Sequence, residues 1–176
     1  MYYIIIGIII FISILTIFIK AFLNKVDIYK IKINEANKNI DILLEKKLSI
    51  LTKVKEKLKD SIEDNFMEKL PKIKNQSLDN FELDSQIKLI QKELKELLEY
   101  NKKIILDDET NILLKNLEKT DIDLIGTKKY YNDNAEIYNE LISKFPMSII
   151  AKLKRHHYLE TYDNKKEEEF EILKEK

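Results

Sequence analysis

The sequence predicts an all-α protein: an N-terminal transmembrane helix, then three long amphipathic helices, then a short C-terminal helix. Three observations predict this. Two glycines and two prolines in 176 residues leave almost none of the punctuation that sheets and long loops require. Apolar residues recur three and four apart over long stretches, the period of one helix face. Charged residues make up 35% of the chain and apolar residues 44%, so a core can be buried and an outer face solvated.

Charge narrows the function classes. Lysine plus arginine and aspartate plus glutamate balance at 31 each, so no net field selects nucleic acid or an acidic substrate. Arg155 is the single arginine. Bidentate readout of phosphates and bases favours arginine over lysine, and no nucleic-acid partner is expected. Cysteine is absent, which excludes disulfides, thiolate chemistry and a lipidated cysteine.

The first element is Tyr2 to Ile19, "YYIIIGIIIFISILTIFI", which carries no charge. It is about as long as a helix needs to cross hydrocarbon, ~20 residues at ~1.5 Å each. It has no polar face to meet water, and Lys20, Ala21, Phe22 and Leu23 stand where a signal peptide would place a small-residue cleavage site. Residues 1–23 therefore read as an uncleaved single-pass anchor, 24–162 as a helical bundle and 163–176 as a charged tail. Behind the anchor lie Lys20, Lys25, Lys30 and Lys32 against Asp27. The positive-inside rule then puts the N-terminus outside the cell membrane and the C-terminal domain in the cytoplasm.

The second element continues from the anchor without a breaker. Ile33, Ala36, Ile40, Leu44, Leu48, Leu51, Val54, Leu58 and Ile62 predict a helix over 26–67 that Pro71 ends. A third, capped by Ser77 or Asn80, carries Leu83, Ile87, Ile90, Leu94, Leu97, Asn101 and Ile104. A fourth starts at "DDET", Asp107 to Thr110, where carboxylates suit orphan N–H groups and the helix dipole. Along it Leu117, Leu124, Tyr131, Tyr138 and Phe145 fall seven apart, a coiled-coil-like line, with Ala135, Leu141 and Ile142 widening it. Tyr131 and Tyr138 are expected as core rings whose hydroxyls reach the edge of the seam, with Asn132 and Asn139 bordering it and bonding a neighbouring helix. Pro146 breaks that helix. Ser148 is the expected cap of a last short helix holding Ile149, Ile150, Leu153, Tyr158 and Leu159.

Chemistry-bearing motifs are sparse. The sequence has no Gly-rich phosphate loop, no Cys/His metal spacing and no nucleophile–base arrangement. His156 and His157 are adjacent, so on a helix they point ~100° apart and cannot chelate one ion together. The "DDET" carboxylates read as a cap rather than a divalent-metal site. No enzyme, metal or cofactor is expected.

One set of residues carries a family resemblance. Leu113, Leu117, Thr120, Asp121, Lys128, Tyr131, Asn132, Tyr138, Asn139, Phe145, Pro146 and Ala151 follow, without a gap, a pattern that resembles the last long helix of the LemA family. Glu35, Ala36, Ile40, Asp41, Leu44, Lys46 and Lys47 resemble its first helix more loosely. Asn37, Ser49 and Thr52 depart from the Trp, Asp and Pro usual there, and the missing proline implies a straighter first helix. The resemblance implies one N-terminal anchor followed by a bundle of long antiparallel helices, and no particular reaction.

Two functional expectations follow. The first is a non-catalytic scaffold or protein-interaction module held at the cytoplasmic membrane, with unknown protein partners and homo-oligomerisation left open. A polar layer of Asp41, Lys128 and Asn132 would fix helix register, as buried polar groups do in some bundles. The second is anionic-lipid binding or membrane shaping through Lys20, Lys25, Lys30 and Lys32.

Overall fold

The computed structural model describes residues 2–59, 68–74, 78–100 and 107–162. Five helices occupy them: α1 (Tyr2–Leu58), α2 (Lys69–Lys74), α3 (Asn80–Tyr100), α4 (Asp108–Ser143) and α5 (Met147–Leu153). Among the described residues there is no strand. The anchor and the first amphipathic helix are one unbroken helix, because nothing between Ile19 and Val26 interrupts the hydrogen-bond ladder. Its first turns are exposed, mostly apolar side chains, and the serine and threonine hydroxyls among them are satisfied internally. Ser13 Oγ donates to the Ile9 carbonyl and Thr16 Oγ1 to that of Ile12, each at 2.8 Å. A segment in hydrocarbon needs that internal satisfaction.

The later boundaries differ from the sequence reading in identifiable ways. Helix α1 ends at Leu58 with Lys55 and Lys57 in its last turn, where cations favour the dipole, and Ile62 to Met67 lie outside the described residues. Pro71 does not end that helix. It sits within the short α2, close enough to the start for its missing N–H to be tolerated. Helix α3 is capped by Asp79, whose Oδ1 accepts from the Glu82 N–H at 2.8 Å. Asn80 is its first residue instead, and Ser77, Asn101 and Ile104 lie outside the described residues. Asp107 caps α4 as the "DDET" reading expects, accepting from the Thr110 N–H at 2.7 Å. Poor helix formers persist inside α4 because they bond back one turn: Thr120 to Asn116, Thr127 to Asp123 and Asn134 to Tyr130. Pro146, not Ser148, precedes α5, which makes no side-chain cap bond. Tyr158 and Leu159 lie beyond its end, and the tail from Asp163 is outside the described residues.

The chain divides into two compact units. In the unit holding residues 37–129, three long segments surround a core of Ile40, Leu44, Leu51 and Val54 from α1, Ile87, Ile90 and Leu94 from α3, and Leu117 and Leu124 from α4. Leu70 and Ile73 of α2 are buried as well, and α2 packs on α3. Register follows from the cross-links. Lys47 meets Asp121 while Lys57 meets Glu109, so α1 and α4 run antiparallel. Asp84 meets Lys128 while Gln91 meets Asp121, so α3 and α4 do too. In the other unit, residues 2–36 and 130–162, Phe22, Val26 and Ile33 of α1 pack on Ala135 and Tyr138 of α4, with Met147, Ile150 and Leu159 closing around them.

Candidate functional site

Two polar arrangements stand out, one in each unit. The first is an ionic layer in the 37–129 unit. Lys47 occupies the slot between Ile40 and Val54, seven residues from each, where the period calls for an apolar side chain. It is 1% exposed, and its Nζ lies 2.5 Å from Asp121 Oδ1. Gln91 Nε2 donates to the other Asp121 oxygen at 2.7 Å. Seven residues along α3 and α4, ~10 Å at ~1.5 Å per residue, a second step repeats the device. Buried Asp84 accepts from Lys128 of α4 and, at 2.6 Å, from Lys88 of its own helix.

The electrostatics of that second step follow from burial. Burial pushes the Lys128 ammonium down to about 8, against the pull of Asp84. Burial would likewise raise the Asp84 carboxyl, but the hydrogen bonds from Lys128 and Lys88 outweigh it and hold the group below the usual carboxylate range. Asp84 Oδ1 is buried without a hydrogen-bond partner, so the layer is not fully satisfied. Beside the first step, Gln91, Leu114, Leu117 and Asp121 line part of an open groove of ≈ 380 Å³. Among the described residues, no cluster of three His, Asp or Glu side chains could hold a metal ion.

The second arrangement, in the 2–36/130–162 unit, is an asparagine clasp. Asn139 pairs with Leu159 as a backbone strand would: its Nδ2 donates to the Leu159 carbonyl at 2.7 Å and its Oδ1 accepts the Leu159 N–H at 2.9 Å. One heptad back, Asn132 Oδ1 accepts the Tyr162 N–H at 2.8 Å. Tyr131 adds a hydroxyl bond to the Glu160 carbonyl at 3.3 Å and an edge-on contact with the Tyr162 ring at 5.2 Å. Tyr138 places its hydroxyl 3.1 Å from His156 Nδ1. The amide side chain carries both a donor and an acceptor, so asparagine can satisfy the backbone of a segment that has no sheet to join. Burial pushes the Tyr138 phenol up, and Asp27 of α1 adds to the effect. Lys144 holds the Glu140 carboxyl low by a hydrogen bond, and Lys25 adds its charge. Within this unit too, then, α4 runs antiparallel to α1, approaching the anchor as it ends.

The LemA family model matches residues 36–173. The chain belongs to the LemA family. No curated protein and no solved structure matches it significantly. The family match begins at Ala36, past the apolar segment, so the anchor rests on its own composition: one long apolar helix near the N-terminus that is unburied over its most apolar window.

The LemA-family motif residues separate into three groups. Lys47 and Asp121 meet in the ionic layer, and Lys128 joins Asp84 there. Tyr131, Asn132, Tyr138 and Asn139 gather in the clasp, where the asparagines bond the returning C-terminal segment. Phe145 leaves the expected line altogether. It lies past the end of α4 and is 81% exposed, because the helix stops at Ser143 and the seven-residue period stops with it. Pro146 beside it is exposed. Asp41 is also exposed, on the outer face of α1, so the polar layer does not include it. Lys128 and Asn132 belong to different arrangements. Lys20, Lys25 and Lys30 are exposed, and Lys32 lies 5.1 Å above the Tyr29 ring. Sequence reasoning missed Asp84 and Lys47 as buried charges. The signal was present: both occupy core slots of their helices, with Asp84 seven residues before Gln91.

Proposed function

We propose that this LemA-family protein is a non-catalytic interaction module tethered to the cell membrane, with its C-terminal part on the cytoplasmic side. The observation that carries the reading is α1 itself. Its apolar first turns continue without a break into a helix whose core face is completed by α3 and α4. Lys20, Lys25, Lys30 and Lys32 directly behind the apolar segment support the cytoplasmic orientation. The ionic layer supports a register-fixing role, because polar groups at core positions penalise slipped pairings more than apolar ones do.

Carbonate extraction should leave the protein with the bilayer, and a reporter fused at Lys176 should be active in the cytoplasm. A photo-crosslinker replacing exposed Leu89 should trap a discrete, reproducible adduct in intact cells. Release by carbonate, or a reporter active only outside, overturns the tether or its orientation. Crosslinks spread evenly over abundant proteins overturn the interaction role.

A further inference from the structure

The turn after α4 is the membrane-proximal end of its unit. Helix α4 approaches the anchor as it proceeds, Tyr138 packing in one cluster with Phe22 and Val26, and Asp27 and Lys25 of α1 act electrostatically on Tyr138 and Glu140. The chain then reverses through α5, and the returning segment pairs Leu159 with Asn139 and Tyr162 with Asn132. So α5 lies beyond the level of Asn139, on the anchor side, with Met147 and Ile150 packed on the cluster around Phe22 and Val26. Phe22 is three residues past Ile19, ~4.5 Å at ~1.5 Å per residue. The headgroup zone outside the hydrocarbon is itself roughly 5–7 Å deep on each side.

The face of α5 turned away from that cluster is apolar and uncovered. Ile149, 61% exposed, and Leu153, 82% exposed, stand four apart on it, and Phe145, 81% exposed, lies in the turn just before α5. Lys144, Lys152, Lys154 and Arg155 are exposed alongside them, Lys144 pairing with Glu140. Such a mixture, apolar stripe plus basic flank, is how short amphipathic helices lie in a membrane interface. Three side chains are too few to form half of a standard protein interface, about 800 Å² per partner, whereas a leaflet already beside the anchor needs no new encounter.

We propose that α5 and the turn before it form a second, interfacial membrane contact, in which Phe145, Ile149 and Leu153 dip into the headgroup region and Lys152, Lys154 and Arg155 meet anionic lipid. This contact presupposes the anchor of the proposed function, and it uses residues quite separate from the juxtamembrane lysines of α1. It would clamp the unit upright against one leaflet.

The chain has no cysteine, so single replacements label uniquely. The full-length protein is reconstituted in phosphatidylcholine vesicles containing phosphatidylglycerol, with an environment-sensitive dye on Ile12→Cys, Ile42→Cys, Ile149→Cys or Leu153→Cys. Dyes at 149 and 153 should be quenched by a shallow spin-labelled lipid, the dye at 12 by a deep one, and the dye at 42 by neither. Adding Lys152→Glu and Lys154→Glu should release the dye at 149 while leaving that at 12 quenched. Quenching at 12 without quenching at 149 and 153 overturns the contact and spares the anchor. A dye at 149 that is shielded but not quenched points to a second protein copy and also overturns it. No quenching at 12 removes anchor and contact together. Equal quenching at 149 in pure phosphatidylcholine overturns the role of the basic flank.

Discussion

Replacing Asp84 by alanine tests whether the ionic layer has the energetics that its burial implies. The carboxylate is 3% exposed and accepts from Lys128 and Lys88. Lys88 is half exposed and returns to water when its partner goes, whereas the Lys128 side chain is 12% exposed and cannot. Removing one member of a buried pair typically costs ~3–5 kcal/mol, because the other charge is left without compensation. Lys128 already has its proton affinity reduced to about 8, so neutralisation offers it an inexpensive escape. That lowers the expected loss to ~2–4 kcal/mol at ~1.36 kcal/mol per pH unit. In a chain of this size, each kcal/mol shifts the midpoint by roughly 2–4 °C, so a fall of roughly 4–16 °C is expected. The double variant Asp84→Ala/Lys128→Met removes both charges and should recover to within ~1 kcal/mol of the parent, as apolar replacements of buried ion pairs do. Thermal and urea unfolding of the full-length protein in lipid nanodiscs, followed by circular dichroism, measures all three. A double variant as unstable as the single one would show that lost packing, not a stranded charge, sets the loss. The reasoning would then be wrong.

The first step of the layer should respond asymmetrically. Lys47→Met should be neutral or mildly stabilising, because Asp121 is 35% exposed and keeps Gln91. Asp121→Ala should cost ~2–4 kcal/mol by stranding an ammonium that is 1% exposed. Equal losses in urea titrations would contradict this. The pH dependence has a definite sign for Lys128. Its native value of about 8 lies below its ordinary 10.5, so between those values the unfolded chain holds more protons and stability rises with pH. The stability of the parent minus that of Lys128→Met should therefore climb across that window by at most ~3 kcal/mol, and a flat or falling difference would refute the assignment. Asn139→Ala removes both bonds to Leu159, an expected loss of ~1–2 kcal/mol. The Leu159 and Tyr162 amides should then exchange with deuterium much faster, and unchanged protection would rule out the clasp as their anchor.

Helical period carried most of the fold, and its failures have specific physical causes. The unbroken α1, the start of α4 at Asp107 and the burial of Leu117, Leu124 and Tyr138 all follow from spacing and capping chemistry. Periodicity cannot see where a helix stops. It extended the aromatic line to Phe145, although Ser143 closes α4 and Phe145 stands in the open. Nor does it separate a lysine on the outer face from one in a core slot. Lys46 is exposed and Lys47 buried, and one step round the helix makes that difference. Counting only apolar residues hides such a slot, whereas asking which polar residue sits seven from two core positions reveals it. The clasp was half legible. Spacing puts Asn132 and Asn139 at the border of the seam, but they bond backbone groups of Leu159 and Tyr162, and no periodic signal announces a non-helical segment.

The two polar arrangements divide the work of specifying this fold in a way an apolar core could not. Leucine and isoleucine on α1, α3 and α4 reward burial but tolerate a shift of one helical turn, because neighbouring turns look alike to them. Lys47 paired with Asp121 and Lys128 paired with Asp84 do not tolerate it. A slip of one turn would part the Lys47 and Lys128 ammonium groups from Asp121 and Asp84, at several kcal/mol each. The clasp solves a different problem. Residues 159–161 lie in no helix or strand, and Asn132 and Asn139 bond the backbone of Leu159 and Tyr162 from the side of a helix. The clasp holds the segment that follows α5, so loosening Asn139 should weaken the proposed membrane contact of α5 without touching α5 itself.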